Sequence, residues 1–131
     1  MTEVTCVLRL LVKDGKIVGR GHNRVLRDED PTAHGEVSAI RNACANIGTY
    51  DLTGCDIYTT AESCPMCRAA IMWANISNVY FGCTVADTDG IGFRDGNFYE
   101  NLASKGNMHE TDRKECLGLF DEYKNSAHTL Y

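Results

Sequence analysis

The spacing of apolar residues near the start of the chain predicts a β-hairpin. Residues 4–12 are rich in apolar and β-branched side chains, which is typical of a strand. The Asp14-Gly15 pair favours a tight turn, and residues 17–21 are predicted as the returning strand. In the first strand the even positions 4 to 12 are all apolar, whereas Thr5, Arg9 and Lys13 make the other face more polar. One face is therefore expected to contact water or another subunit.

Further along the chain, helical and extended spacings alternate. An apolar stripe predicts a helix capped by Thr32, and its members are Val37, Ile40, Cys44 and Ile47. A second helix opens at Cys64 and is apolar nearly all round as far as Trp73, which predicts burial. A last helix, capped by Thr111, carries the stripe Cys116, Leu119, Phe120 and Tyr123. Residues 55–60 and 79–81 are predicted strands, so the pattern indicates an α/β domain with parallel strand pairs.

Composition and charge narrow the class of protein. The 131 residues are 44% hydrophobic and 24% charged, which is typical of one compact globular domain. The net charge is −5 and no basic block occurs, which argues against nucleic acid and anionic lipid as partners. The longest apolar run, residues 69–74, is too short for a membrane span. Seven cysteines, an odd number, and no leader pattern predict a cytoplasmic protein with reduced thiols.

Two short motifs indicate a metal site. His34 and Glu36 stand at one predicted helix start, and Cys64 and Cys67 stand at the next. Two thiolates and an imidazole are good zinc ligands, and helix N-termini favour thiolates. A redox pair or half of a structural zinc site are the alternatives for a Cys-x-x-Cys pair. The remaining histidines lack motif spacing to these ligands, so three protein ligands leave one zinc position for water, as in catalytic sites. Glu36 would reach that water without binding the metal.

These motifs resemble the zinc nucleobase deaminase signature, and the chain is similar to the cytidine deaminase-like superfamily. Within it, the bacterial guanine deaminase branch is the closer resemblance, on segments 12–15, 21–23, 30–34, 39–41, 58–60 and 92–95. The resemblance implies a three-layer fold with a central mixed sheet of about four or five strands flanked by helices. Ser63 and Gly35 stand where the family commonly has proline and alanine, and Arg94 occupies an acidic position of the branch. The family's N-terminal helix has no counterpart in this sequence.

The resemblance also assigns roles to individual residues. It implies one Zn²⁺ per subunit on His34, Cys64 and Cys67, with Glu36 as the proton-transferring carboxylate. Asn23 and Trp73 are expected to contact the substrate, and Asp95 is expected to be a second carboxylate near the amino group that leaves. The resemblance further implies that residues 1–131 form a single domain. Residues 101–131 are its C-terminal helix and tail. In a homodimer they would be exchanged between subunits, and Tyr131 would cover the partner's site.

The expected activity is hydrolytic deamination of a small-molecule nucleobase, most simply guanine to xanthine and ammonia. Three alternatives stay open at this point. The same chemistry could act on cytosine or a related pyrimidine, since residues 19–23 with His34-Gly35-Glu36 are similar to fungal cytosine deaminase. It could act on adenosine in tRNA, which the acidic charge opposes. The chain could also bind zinc without turning over any substrate.

Overall fold

The fold is built on a mixed four-stranded sheet. The computed structural model describes residues 8–104 and 106–131. The strands are β1 Arg9–Lys13, β2 Lys16–Gly21, β3 Asp56–Ala61 and β4 Asn78–Cys83, in the spatial order β2-β1-β3-β4. β1 is antiparallel to β2 and β3, and β3 is parallel to β4. The predicted mixed sheet is thus confirmed. Residues 4–7 of the first predicted strand, with its apolar positions Val4 and Cys6, lie outside the described residues.

The hairpin between β1 and β2 forms at the predicted turn. Asp14 and Gly15 both have positive φ, at 51° and 74°. Two successive residues of this kind give a turn whose twist matches that of the flanking strands. The Asp-Gly pair therefore fixes this hairpin from local chemistry alone.

Six helices flank the sheet in the part of the chain that the structure describes. They are α1 Val25–Asp28, α2 Gly35–Ile47, α3 Pro65–Trp73, α4 Val85–Asp89, α5 Asp95–Asn101 and α6 Arg113–Lys124. Two predicted caps are wrong, because His34 caps α2 and Asp112 caps α6. The Thr32 hydroxyl is engaged elsewhere, donating to Asp30 Oδ1 at 2.6 Å. The chain therefore turns once more before α2 begins.

Two glycines allow α2 to pack directly against β2. A Cβ on Gly19 would lie 2.6 Å from the Ala43 Cβ, and one on Gly21 would lie 2.3 Å from the Ala39 backbone nitrogen. Both separations are far below carbon contact distance, so no larger residue fits without moving the helix. This close approach sets the position of the first turn of α2, where His34 and Glu36 stand.

The core lies between α2, α3 and one face of the sheet. Its buried members are Leu11, Ala39, Ala43, Leu52, Cys55, Ile57, Ile71 and Ala74. The predicted burial of α3 on all sides is wrong, because only Cys67 and Ile71 of this helix are buried and Trp73 is 66% exposed. A helix that packs on a core along one stripe leaves its other sides open, whatever their composition. The stripe on α6 is also exposed along its whole length.

In the described part of β1, the face that turns inward is the one predicted to be more polar. Arg9 and Leu11 are buried, whereas Leu10 and Val12 are only half-buried and Leu8 is exposed. Alternation along the strand is preserved, so pairing with β3 and packing of α2 select which face meets the core. The most polar residue of the strand is thus enclosed within the domain.

Two further features bear on the expected environment of the chain. Across residues 8–104 and 106–131, none of the helices has the length and apolarity that a membrane crossing requires. Cysteines outside a ligand motif are expected to be small core residues; here Cys55 is buried and Cys44 is half-buried, but Cys83 and Cys116 are exposed, so that expectation is wrong for the last two. Cys6 lies outside the described residues.

Candidate metal centre

Two helix starts bring three ligand side chains together. His34 precedes the first residue of α2, and Cys64 precedes α3, whose first residue is Pro65. Proline suits this position because its missing N–H would have no partner within the helix. The backbone N–H of Cys67 donates to Cys64 Sγ at 3.4 Å, which fixes the first turn around the thiols. The ligand atoms of His34, Cys64 and Cys67 all lie within 4.8 Å of one another.

The geometry of this group fits a tetrahedral zinc ion. His34 Nδ1 lies 3.4 Å from Cys64 Sγ. Zinc bonds of about 2.3 Å to sulfur and about 2.0 Å to nitrogen, at a tetrahedral angle, place the two ligand atoms about 3.5 Å apart. One nitrogen and two sulfur donors also form a set that zinc prefers. These residues therefore match zinc in both donor type and spacing.

The three ligands perturb one another's pKa values. The side-chain hydrogen bond with Cys67, helped by that with His34, lowers the pKa of the Cys64 thiol to about 4. The hydrogen bond with Cys64 and burial raise the pKa of the Cys67 thiol. The hydrogen bond to Cys64 also raises the pKa of His34. Metal binding therefore competes with protons on His34 and Cys67, whereas the lowered pKa of Cys64 favours its thiolate form.

A buried carboxylate stands beside this group. Glu36, in the first turn of α2, is only 3% exposed. Its hydrogen-bonding contact with the Cys67 thiol contributes to the raised pKa of that thiol. On its other side, Arg9 Nε donates to Glu36 Oε1 at 2.7 Å, and Arg9 Nη1 donates to Thr60 Oγ1 at 2.8 Å. Glu36 is thus next to the ligands and paired with an enclosed arginine.

A second carboxylate lies near the ligands at the start of α5. Burial, followed by the negative charge on Cys64, raises the pKa of Asp95, while His34 lowers it. The predicted residue therefore lies within electrostatic range of the metal ligands. Its neighbour Arg94 places its guanidinium 5.1 Å from the centre of the Phe98 ring.

A cavity of about 700 Å³ opens beside the ligands. His34 and Cys64 form part of its wall, and Arg94 and Phe98 of α5 form another part. Cavities that bind small molecules fall in this size range, with mostly apolar walls and a few polar groups. The ligand group therefore faces a space that a small substrate can enter.

Three predicted substrate-binding residues are not brought to this cavity. Asn23 uses its side-chain oxygen to accept a hydrogen bond from the Val25 backbone N–H at 2.9 Å, and it does not line the cavity. Trp73 ends α3, roughly 9 Å along the helix from Cys67. The ring centre of Tyr131 lies 5.9 Å from that of Trp73 and 6.1 Å from that of Tyr50. The structure thus brings Trp73 and Tyr131 together, and neither lines the cavity.

Two contacts at this site were missed by the sequence analysis. Arg9 was assigned to a polar strand face, although a single charge within the apolar residues 4–12 is itself a signal of a special role. The hydroxyl of Tyr99 donates to the Ser63 backbone carbonyl, which ties α5 to the segment before Cys64. No pattern in the sequence indicates that second contact.

Comparison with known proteins agrees with the site. The model of the cytidine and deoxycytidylate deaminase zinc-binding region matches residues 2–83. The guanine deaminase of Bacillus subtilis is 37% identical over 123 residues, which cover 90% of this chain and 79% of that protein. An X-ray structure of guanine deaminase from B. subtilis superposes with a TM-score of 0.88 at 35% identity, covering 95% of this chain and 83% of that one.

A second kind of relative matches over a shorter stretch. The tRNA-specific adenosine deaminase of Agrobacterium fabrum is 45% identical over 73 residues, 56% of this chain and 48% of that protein. The family region, the fold and the ligand geometry therefore lead to one conclusion. The chain belongs to the zinc-binding cytidine and deoxycytidylate deaminase family.

Proposed function

We propose that the protein is a zinc-dependent hydrolytic deaminase that converts guanine to xanthine and ammonia. The observation that carries this proposal is the group of His34, Cys64 and Cys67 with the buried carboxylate of Glu36 beside it. Guanine is favoured because the similarity to the B. subtilis guanine deaminase extends over 90% of the chain. The match to the tRNA-specific enzyme covers only 56% of it.

In the proposed mechanism the chain's own residues bind the metal and move protons. A zinc ion held by the three ligands would supply Lewis-acid activation of a water molecule. Glu36 would accept a proton from that water and pass it to a ring nitrogen as oxygen attacks the carbon that bears the amino group. The same carboxyl would then help to protonate the departing amine. Its burial keeps bulk water from competing for these protons.

Asp95 and Asn23 are proposed to orient the base. The raised pKa of Asp95 reflects burial near the ligands, which supports a role close to the amino group that leaves. Asn23 lies outside the cavity wall and its side-chain oxygen accepts a hydrogen bond from Val25, so its amide nitrogen is the atom with which it would reach a substrate carbonyl or ring nitrogen.

We further propose a homodimer in which residues 101–131 complete the partner's site. Trp73 and Tyr131 are 66% and 79% exposed, and they contact each other without lining the cavity of their own chain. The apolar side chains of α6 are also exposed, including Phe120 at 70%. A two-fold partner would cover both surfaces, and exchange of a C-terminal segment is a low-cost way to form such a dimer. In that arrangement Tyr131 would cover the cavity of the other subunit.

Mixed dimers provide a direct test of this exchange. A chain lacking Leu130 and Tyr131 is expected to be folded, zinc-loaded and poorly active. Mixed with a Glu36→Gln chain, it should regain activity, because each shortened subunit keeps Glu36 and receives a tail from its partner. A monomer in solution, or verified mixed dimers without recovered activity, would contradict the proposal.

The second candidate is a tRNA adenosine deaminase, favoured by the 45% identity over 73 residues. The net charge of −5 opposes it, because RNA binding depends on basic surfaces.

A cytoplasmic location is proposed as well, since all six cysteines in the described part of the chain are outside disulfides.

A substrate panel tests the activity itself. Ammonia release is measured from guanine, cytosine, adenine, their nucleosides and a tRNA anticodon stem-loop, with zinc content determined on the same samples. Guanine is expected to react fastest, and Glu36→Gln is expected to keep zinc while losing roughly 10²- to 10⁴-fold in rate. Faster release from cytosine or tRNA would reassign the substrate. A zinc-loaded protein inactive on the whole panel would refute the proposed activity.

A further inference from the structure

Arg9 occupies an unusual position for a charged residue. It lies in β1 with only 6% of its surface exposed, and the neighbouring inward residue of the strand is the core residue Leu11. A buried guanidinium is strongly unfavourable unless its charge is matched and its N–H groups are bonded. Glu36 in α2 matches the charge of Arg9, and Glu36 and Thr60 accept hydrogen bonds from its guanidinium. The position of this arginine therefore depends on residues of two other elements.

The partner of Arg9 is the proposed proton-transferring residue. Arg9 Nε donates to Glu36 Oε1 at 2.7 Å, and the two side chains are only 7% and 4% exposed. Arg9 Nη1 donates to Thr60 Oγ1 at 2.8 Å, so β3 holds the second edge of the same guanidinium. Because two donors of one rigid plane are bound to residues of two elements, the guanidinium is held in one orientation, and Glu36 Oε1 is held with it.

The charges of the site give a second reason for the pair. A zinc ion with two thiolates is neutral, so Glu36 would leave one net negative charge at a position that is only 3% exposed. Arg9 cancels that charge on the side of the carboxylate at which it binds Oε1. The carboxylate interacts with Cys67 as well, so its other contacts point towards the metal ligands. Arg9 therefore binds the carboxylate without occupying the ligand group itself.

We propose that Arg9 is a positioning residue for the deamination reaction. Bound to Thr60 and to Glu36 Oε1, it holds the carboxylate in the orientation from which the other oxygen transfers protons. The inference rests on the proposed function, since it assigns Arg9 to the same step as Glu36. Residues that orient a metal site in this way typically change activity about 10- to 100-fold when replaced.

The first experiment separates positioning from binding. Arg9→Ala is expected to lower kcat about 10- to 100-fold, with KM for guanine and zinc content close to those of the wild type. Arg9→Lys keeps the charge but cannot bind Glu36 and Thr60 at the same time, so its kcat should lie between those of Arg9→Ala and the wild type. Arg20→Ala, an exposed arginine on the adjacent strand, is the matched control and should match the wild type.

Chemical rescue addresses the possibility of a merely structural effect. Guanidinium chloride at a sub-denaturing concentration should raise kcat of Arg9→Ala, whereas sodium chloride at equal ionic strength should not. If Arg9→Ala fails to fold, Arg9→Lys and Thr60→Val provide the same comparison, because each removes one of the bonds that orient the carboxylate. Absence of rescue, with kcat of Arg9→Lys equal to the wild type, would overturn the inference.

A double-mutant cycle supplies a readout that does not depend on activity. Thermal unfolding of Arg9→Met, Glu36→Gln and the double variant should show coupling, with a smaller loss of Tm in the double variant than the two single losses predict together. Additive losses of Tm would show that Arg9 and Glu36 are not energetically coupled and would overturn the inference. A wild-type protein inactive on every base would refute the proposed function and the role of Arg9 with it. An active wild type with a fully active Arg9→Ala, or a faster one, would refute Arg9 alone.

Discussion

The contact between β2 and α2 provides a sharp test of how the fold positions the site. In Gly21→Ala, the new Cβ would lie 2.3 Å from the Ala39 backbone nitrogen and 2.6 Å from the Gly35 carbonyl oxygen. Normal contact is about 3.5 Å, so the helix must move by about 1 Å. Both obstructing atoms are backbone, and no rotamer change relieves them. Because overpacking typically costs about 1–3 kcal/mol, we expect the upper end, about 3 kcal/mol, and a Tm lower by about 10 °C.

The same displacement of α2 should also lower the catalytic activity. Gly35 lies between His34 and Glu36 in the chain, so a shift of α2 moves a metal ligand and the carboxylate together. A displacement of about 1 Å is expected to lower kcat/KM for guanine about 100-fold. Thermal unfolding, elemental analysis for zinc and ammonia release measure the three effects on one preparation.

Gly118→Ala is the control for this variant. Among the residues that the structure describes, no atom lies within 4 Å of a Cβ at Gly118 in α6, and alanine favours a helix by about 0.8–1 kcal/mol over glycine. This control should be as stable as the wild type or more so. If Gly21→Ala unfolds within about 2 °C of the wild type and keeps its kcat/KM, the close packing of α2 on β2 does not position the site.

Three further outcomes are expected. His34→Ala and Cys67→Ala should each lower zinc occupancy, and unaltered zinc by elemental analysis would show that the ligand assignment is wrong. Asp95→Asn should keep zinc but sharply reduce guanine turnover; normal ammonia release would remove Asp95 from the site. Zinc affinity should rise with pH, because the pKa values of His34 and Cys67 are both raised in the metal-free protein and zinc must displace their protons. The expected gain approaches tenfold per pH unit for each displaced proton, and chelator competition that is flat from about pH 6 to about pH 8 would contradict it.

The parts of the molecule set by short-range chemistry were predicted from the sequence. The Asp14-Gly15 turn supplies its own positive φ values, and Pro65 after Cys64 suits a helix start. The ligand motif was predicted for a related reason. His34 and the Cys64–Cys67 pair each stand at a helix start, so only one tertiary contact, between α2 and α3, is needed to assemble the group.

Other features depended on tertiary structure. Alternation along β1 is equally consistent with either face turned inward, and pairing with β3 together with the packing of α2 selects the face of Arg9. The composition of α3 predicted burial on all sides, yet the core meets only the stripe of Cys67 and Ile71. Local patterns were therefore enough to predict the four strands, the helices α2, α3 and α6 and the metal-ligand group, because a tight turn, an apolar stripe and a ligand spacing are short-range features. The ion pair between Arg9 and Glu36 joins residues 27 positions apart in the chain, and only the packing of one element on another decides such a contact.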